Sequence, residues 1–278
     1  MTVKPIKFFA LTFALSWSIW IPLTLSHFGV GPFHIAESTS NIVRLLGVLM
    51  PAVSAIILTA HIGGRSALLN LFSCLVFWRV HWKWWLAAVA GQPILLGLAA
   101  LIYNLTASDW TIVPEAPASY VVFIVNVIIL LIATLGEEIG WRGVALPGLQ
   151  QQHSAFRSSL ILGLLWAAWH IPFWLLLDSF DQFGSSYLLL NFLFVLPLTF
   201  YITWFFNHSS QSVLLAVMLH LTFNIVNTIL LPVTINPGAF VIFGALEWIV
   251  AILIIKHLEP DVERQTQQSR IAPVSRLG

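Results

Sequence analysis

Charged side chains are scarce in this sequence. Only 8% of its 278 residues are Asp, Glu, Lys or Arg, whereas soluble domains carry roughly 25%. The net charge is +1 and there is no dense basic patch, so nucleic acid is not an expected partner. The single cysteine, Cys74, excludes an intramolecular disulfide. The chain is instead rich in apolar residues, which make up 59% of it at a mean hydropathy of +0.91. This composition predicts an integral membrane protein in contact with lipid.

Long apolar runs predict an all-α fold with about eight transmembrane helices. A helix needs about 20 mostly apolar residues to cross a bilayer, whereas the strands of a membrane barrel alternate in polarity. The candidate spans are residues 8–25, 42–60, 84–104, 120–145, 158–177, 187–206, 211–231 and 238–256. We therefore predict a single transmembrane helical domain over residues 1–256 and a polar cytoplasmic tail over residues 257–278.

Lysine and arginine are found in alternate connections between these predicted spans. The loops at 26–41, 105–119 and 178–186 contain neither residue, whereas the amino-terminal tail, the segments at 61–83 and 146–157 and residues 256–278 together contain ten. Short loops rich in Lys and Arg stay in the cytoplasm. This pattern predicts that both termini are cytoplasmic, and the bacterial cytoplasmic membrane is the expected location.

Two adjacent glutamates, Glu137 and Glu138, lie near the end of the apolar run at 119–143. A carboxylate at membrane depth is costly, so it usually faces the bundle interior and has a function there. Arg142 follows Glu138 by four residues, so the two share a helix face and can pair. Glu137 points about 100° away and has no such partner. A structural ion pair accounts for Glu138 and Arg142 but leaves Glu137 as a candidate general base.

Three further polar residues, His170, His220 and Asn224, fall within other predicted spans. Each could simply form a hydrogen bond between helices, which is common in membranes. However, His220 and Asn224 are four residues apart and share one face, where they could donate two hydrogen bonds to an oxyanion. Glu137, His170 and His220 also lie at a similar predicted depth, about 13 Å or slightly more from a cytoplasmic helix end. We therefore expect them to share one layer.

Four short motifs resemble those of one protein family. The sequence EEIGWR at 137–142 matches an EExxxR motif, residues 166–170 match [F/W]xxxH, residues 200–204 match FxxxW, and residues 220–224 match HxxxN. In this order and at these separations they resemble the CAAX prenyl endopeptidase and bacteriocin-processing family of intramembrane proteases, also called the CPBP or Abi family. The resemblance covers about residues 125–227, within a motif-bearing core at 120–231.

The resemblance implies hydrolysis of a peptide bond within the membrane. Carried over position by position, it implies that Glu137 and His170 activate a water molecule and that His220 and Asn224 hold the oxyanion. The implied substrate is a membrane-associated peptide or protein, such as a prenylated tail or a bacteriocin leader. We expect it to enter laterally through the lipid or from the cytoplasmic side, because the polar layer is predicted to lie nearer that face.

The resemblance also assigns supporting roles around these four residues. It implies that Glu138 and Arg142 orient the site. Three aromatic side chains are expected to line the cavity: Trp166, Phe200 and Trp204.

Zinc is an alternative to a glutamate-activated water. Glu137, His170 and His220 could ligate a zinc ion, because two histidines and a carboxylate with one open position form a known catalytic set. However, the chain contains no HExxH sequence, and the three ligands would come from three separate helices. A site without a metal cofactor is therefore the favoured interpretation.

Two other classes of function remain open at this point. A proton-coupled carrier could relay protons through Glu137, Glu138 and the histidines, although no inverted repeat is evident in the sequence. An immunity or binding protein could keep the fold without cleaving anything. Glu247, in the middle of the last predicted span, matches no motif and has no assigned role.

Overall fold

The computed structural model describes residues 3–107, 119–230 and 236–258. Within these residues the chain forms helices and no strands, which confirms the predicted all-α class. The helices are α1 Pro5–His27, α2 Glu37–Val48, α3 Met50–Leu75, α4 Trp82–Thr106, α5 Tyr120–Gly140, α6 Leu146–Gln150, α7 Ala155–Trp169, α8 Ile171–Trp174, α9 Asp178–Phe183, α10 Ser185–His208, α11 Val213–Ile225 and α12 Pro237–Ile255. A π-helical turn, Trp141–Ala145, joins α5 to α6, and another, Val226–Leu230, extends α11.

Seven helical segments of the described chain are long and apolar enough to cross a membrane. The fifth predicted span, 158–177, differs from the others because its helix α7 has only 15 residues, about 22 Å of helix. The helix ends at His170, and Pro172 follows at the start of the short α8. A proline lacks the N–H that would continue the helix and disfavours a helical residue before it. His170 therefore lies at a break between helices rather than in mid-span.

The predicted polar tail and the predicted orientation of the termini remain untested. Most of the predicted tail at 257–278 lies outside the described residues, as does most of the loop at 105–119. The orientation of the termini relative to the cytoplasm also remains a prediction.

Side-chain hydrogen bonds tie several helix ends together at one end of the bundle. Asn207, near the end of α10, accepts from the Gln150 amide of α6 at 3.2 Å and donates to the Leu258 carbonyl after α12 at 3.0 Å. Ser212, the N-cap of α11, donates to the Phe77 carbonyl after α3 at 2.7 Å. We call this the basic end of the bundle, because most of the lysine and arginine residues lie in its connections.

Other contacts join the chain at the opposite end of the bundle. His27, at the end of α1, lies 3.6 Å from Asp181 of α9. The Arg44 guanidinium of α2 donates to the Leu176 carbonyl at 2.6 Å. The start of α10 and the start of α12 belong to this end, because both helices run from here to the basic end.

Two glycines let α5 approach its neighbours closely just where the glutamates lie. A Cβ atom at Gly136 would stand 3.2 Å from the Leu49 Cα, and one at Gly140 would stand 2.8 Å from the Pro51 carbonyl oxygen. Both obstacles are backbone atoms, which cannot rotate away. The spacing GxxxG on α5 therefore allows backbone contact with α3, as small residues do between membrane helices.

Glu247 is fully buried on α12, between α4 and α10. The Tyr201 hydroxyl donates to its backbone carbonyl at 2.9 Å, and the Gln92 side chain of α4 is one of its neighbours. Among the described residues, neither carboxylate oxygen has a partner in hydrogen-bonding geometry. The residue lies outside the cavity described below.

The Gly140 contact gives a first prediction. The substitution Gly140→Ala should lower the stability of the detergent-solubilised protein by about 1–3 kcal/mol, because the added methyl group forces α5 away from α3. Thermal unfolding measures this loss. The matched control is Gly97→Ala on α4, where a Cβ meets nothing within 4 Å and the unfolding temperature should not fall. Equal unfolding temperatures for the two variants would contradict the close approach.

Candidate active site

The two adjacent glutamates occupy the last turn of α5, where the helix changes into the π-helical turn Trp141–Ala145. Glu137 is 4% exposed and Glu138 is 0% exposed. Single π-helical turns within α-helices are frequent at functional sites. Because neighbouring helical residues point about 100° apart, the two carboxylates meet different sets of partners.

Glu137 accepts hydrogen bonds from two indole rings. Its Oε2 atom lies 2.7 Å from the Trp166 Nε1 of α7 and 3.4 Å from the Trp141 Nε1. Glu137 is therefore not an isolated carboxylate, because neutral indole donors bind it in place of a cation such as Arg142. Trp141 follows Glu137 by four residues, so its place on the same face could have been predicted from the sequence. These two donors fix the orientation of the carboxylate.

Glu138 binds two cationic or potentially cationic groups through one oxygen. Its Oε1 atom lies 2.8 Å from the Arg142 Nη1 and 2.8 Å from the His220 Nδ1. The i, i+4 spacing predicts the first contact. The second joins α5 to α11 across 82 positions of sequence, and no local pattern indicates it. The buried carboxylate thus connects the EExxxR and HxxxN motifs.

The Arg142 guanidinium is completely buried. Its Cζ atom lies 4.8 Å from the centre of the Trp166 ring, within the range of a cation–π interaction. Its Nε and Nη2 atoms have no hydrogen-bond partner among the described protein groups. Glu138 and Trp166 therefore provide its main electrostatic compensation.

His170 faces Glu137 from the break between α7 and α8. Its Nδ1 lies 3.0 Å from the Trp166 carbonyl oxygen. Because a carbonyl only accepts, Nδ1 carries a proton, and in the neutral ring Nε2 is left as an acceptor. That Nε2 lies 3.8 Å from the Glu137 Oε2, beyond direct hydrogen-bonding distance. The ring stacks on Trp174 with 5.1 Å between the ring centres.

Asn224 lies one turn beyond His220 on α11 and lines the same cavity. Its Nδ2 donates to the Thr134 Oγ1 at 3.2 Å. An amide nitrogen carries two hydrogens, so this bond leaves one of them available. Thr134 is fully buried on α5, one turn before Glu137, and sequence analysis did not single it out.

One cavity of about 450 Å³ joins these groups. Glu137, Trp166, His170, His220 and Asn224 all line it. The expected common layer is therefore present, although its members come from a helix end and a helix break as well as from mid-span positions.

The other two aromatic residues expected to line the cavity lie elsewhere. Phe200 stacks on Phe156, with 5.6 Å between the ring centres, and Trp204 packs against Trp84. Neither borders the cavity. Both follow Leu198, the last residue of α10 that borders it, so they lie nearer the basic end of the bundle. The motif spacing indicates their helix but not the face on which each one points.

The zinc alternative requires Glu137, His170 and His220 to converge on one ion. Among the described residues, no group of three or more His, Cys, Asp or Glu side chains is arranged to hold a metal ion.

Comparisons with known proteins agree with the motif resemblance. Residues 116–226 match the family model described as Type II CAAX prenyl endopeptidase Rce1-like. Over 137 residues, 48% of this chain, the sequence is 34% identical to a CAAX prenyl protease 2 from Methanococcus maripaludis. This chain covers 50% of the length of that relative. The matched segment contains all four motifs, and over that segment the chain is similar to the Rce1-like CAAX prenyl endopeptidases.

Proposed function

We propose that this protein is an intramembrane endopeptidase of the CAAX protease type. The observation that carries the proposal is that Glu137 and His170 face one cavity, with the Glu137 Oε2 and the His170 Nε2 3.8 Å apart. The similarity of residues 116–226 to CAAX prenyl endopeptidases supports the same conclusion. The carrier and binding-protein alternatives gain no support from the site.

The first step is activation of a water molecule. The Oε2 of Glu137 and the Nε2 of His170 are both acceptors in their common states, so they do not bond to each other directly. A water between them can donate one hydrogen to each. As its oxygen attacks the carbonyl carbon of the scissile bond, Glu137 takes the proton as general base. The C–N bond then breaks, and Glu137 returns that proton to the leaving amine.

The second requirement is stabilisation of the oxyanion that forms on the carbonyl oxygen. The Nδ1 of His220 donates to Glu138, so a donor toward the cavity requires a proton on Nε2 as well. The ring then acts as an imidazolium, with the Glu138 carboxylate as its counter-ion. The second amide hydrogen of Asn224 provides the other donor. Preorganised donors of this kind act strongly where water is excluded.

Glu138 and Arg142 act as positioning residues in this scheme. Glu138 fixes the His220 ring through a 2.8 Å hydrogen bond. Arg142 holds the Glu138 carboxylate and lies over Trp166, which in turn donates to Glu137. The pair thus supports both halves of the site without touching the substrate.

The substrate is proposed to be a membrane-associated peptide or protein. A prenylated peptide and a bacteriocin or other leader peptide are the two chemistries that the resemblance implies. The proposed location is the bacterial cytoplasmic membrane, with lipid around the seven long helices. No cofactor is assigned, since Glu137 and His170 activate the water by themselves.

The substitution Glu137→Gln tests the assigned base. It keeps the size of the side chain but removes the proton acceptor, so cleavage of membrane peptides should fall by about 10²–10⁴-fold. Mass spectrometry of the membrane peptides measures the products. The matched control is Glu247→Gln, which changes another buried glutamate outside the cavity and should leave cleavage unchanged. Undiminished cleavage by the Glu137 variant would refute this mechanism.

A second pair of variants tests the buried ion pair. Arg142→Met should lower the unfolding free energy by about 3–5 kcal/mol, because the Glu138 charge loses its main partner. Adding Glu138→Leu removes that unpaired charge and should restore much of the stability. Cleavage should stay low in the double variant, since His220 has lost the acceptor that orients it. Full activity in the double variant would show that the pair has no positioning role.

Chelation distinguishes the favoured site from the zinc alternative. The purified protein, dialysed against a strong chelator, should keep its cleavage rate, because no step is assigned to a metal. Elemental analysis of the same sample verifies that zinc has been removed. Loss of cleavage that added Zn²⁺ restores would replace this mechanism with a metal-dependent one.

A further inference from the structure

The cavity extends from the glutamate layer in one direction only. On α11 it is lined by residues from His220 onward as far as Thr228, and on α10 by residues from Tyr187 to Leu198. On α5 it is lined by Leu130, Ala133 and Glu137, but by no residue after Glu137. Since α10 runs toward the basic end and α11 runs away from it, all three stretches extend from the layer toward the opposite end.

The connections at that opposite end also border the cavity. Arg44 of α2, Leu177, and Asp178 and Ser179 of α9 form this part of the lining. Asp178 is exposed and Ser179 is partly exposed. The cavity therefore has its mouth among polar side chains at this end of the bundle.

Tightly packed side chains fill the region between the layer and the basic end. Ala145, Leu162, Ile202 and Val217 come from the π-helical turn and from α7, α10 and α11, and all four are 0% exposed. None of them borders the cavity. A peptide cannot reach Glu137 through this region without displacing core residues.

Charge marks which end faces the cytoplasm. Nine lysine and arginine residues lie in the described chain, and Arg142 is buried in the site. Only Arg44 lies toward the end with the mouth. The other seven lie in connections at the basic end: Lys4, Lys7, Arg65, Arg79, Lys83, Arg157 and Lys256. Such a bias in short connections sets the orientation of a membrane protein, with the basic side in the cytoplasm.

We propose that the active-site cavity opens on the side of the membrane away from the cytoplasm. The substrate class is then a peptide segment that reaches this face, either as part of a membrane protein or after translocation. A prenylated tail presented in the cytoplasm cannot enter from its own side. This inference rests on the proposed function for the cleavage step, and it reverses the sequence-based expectation of entry from the cytoplasm.

Single cysteines at the two ends test the orientation directly. The substitution Cys74→Ser removes the only native thiol. In that background, Ser179→Cys places a thiol at the mouth, and Gln152→Cys places one on an exposed site at the basic end. A membrane-impermeant maleimide applied to intact cells should label the first variant as fully as in permeabilised cells. The second variant should be labelled only after permeabilisation. The reverse pattern would overturn the proposal.

Cleavage measured on the same labelled cells tests whether substrate reaches the active site through the mouth. A bulky impermeant maleimide on Ser179→Cys should reduce cleavage of membrane peptides, whereas the same label on Gln152→Cys, added after permeabilisation, should not. Unreduced cleavage in fully labelled Ser179→Cys would show that substrate enters elsewhere and would overturn the proposal. These results are separate from the Glu137→Gln test. If the labelling is as expected but the Glu137→Gln variant still cleaves at the full rate, the proposed cavity orientation is supported and the proposed mechanism is refuted.

Discussion

The Glu138 carboxylate is the interaction on which the rest of the site depends. It is completely buried, and one of its oxygens binds both the Arg142 guanidinium and the His220 ring. A charge at this depth would be very costly without such partners. Because one partner lies on the same helix and the other on α11, the carboxylate sets how α5 and α11 are rotated relative to each other. The glycines at 136 and 140, which admit α3 to backbone contact, hold the same helix from its other side.

The adjacent position of the two glutamates has a simple geometric use. Two carboxylates on successive helical residues point about 100° apart, so one can be committed to structure while the other faces the cavity. Glu138 contacts the Arg142 guanidinium and the His220 ring, whereas Glu137 receives the neutral indole donors of Trp141 and Trp166. Glu137 therefore keeps its ability to accept a proton. A single buried glutamate could not combine both environments.

The sequence predicts what depends on local spacing and misses what depends on rotation between helices. Apolar runs are enough to indicate the all-α class, and the i, i+4 rule indicates the contact of Glu138 with Arg142. The contact of Glu138 with His220 spans 82 positions and has no local signal. The helix break at His170 comes from Pro172, which can be read from the sequence. How far this proline shortens the span depends on packing, which the sequence does not show. Phe200 and Trp204 have the right spacing but point away from the cavity, because spacing alone does not define the inward face.

The direction of the cavity follows from the same packing. Glu138, Arg142 and the side chains around them must be shielded from water, since hydration of the guanidinium would weaken its interaction with the carboxylate. They occupy the part of α5 and its π-helical turn that continues toward the basic end, so that side of the layer is filled by protein. In the proposed mechanism Glu137 needs a water molecule and a peptide, and the cavity that could admit them lies on the other side of the layer. A buried ion pair that holds the site together thus also determines the face from which a substrate can reach it.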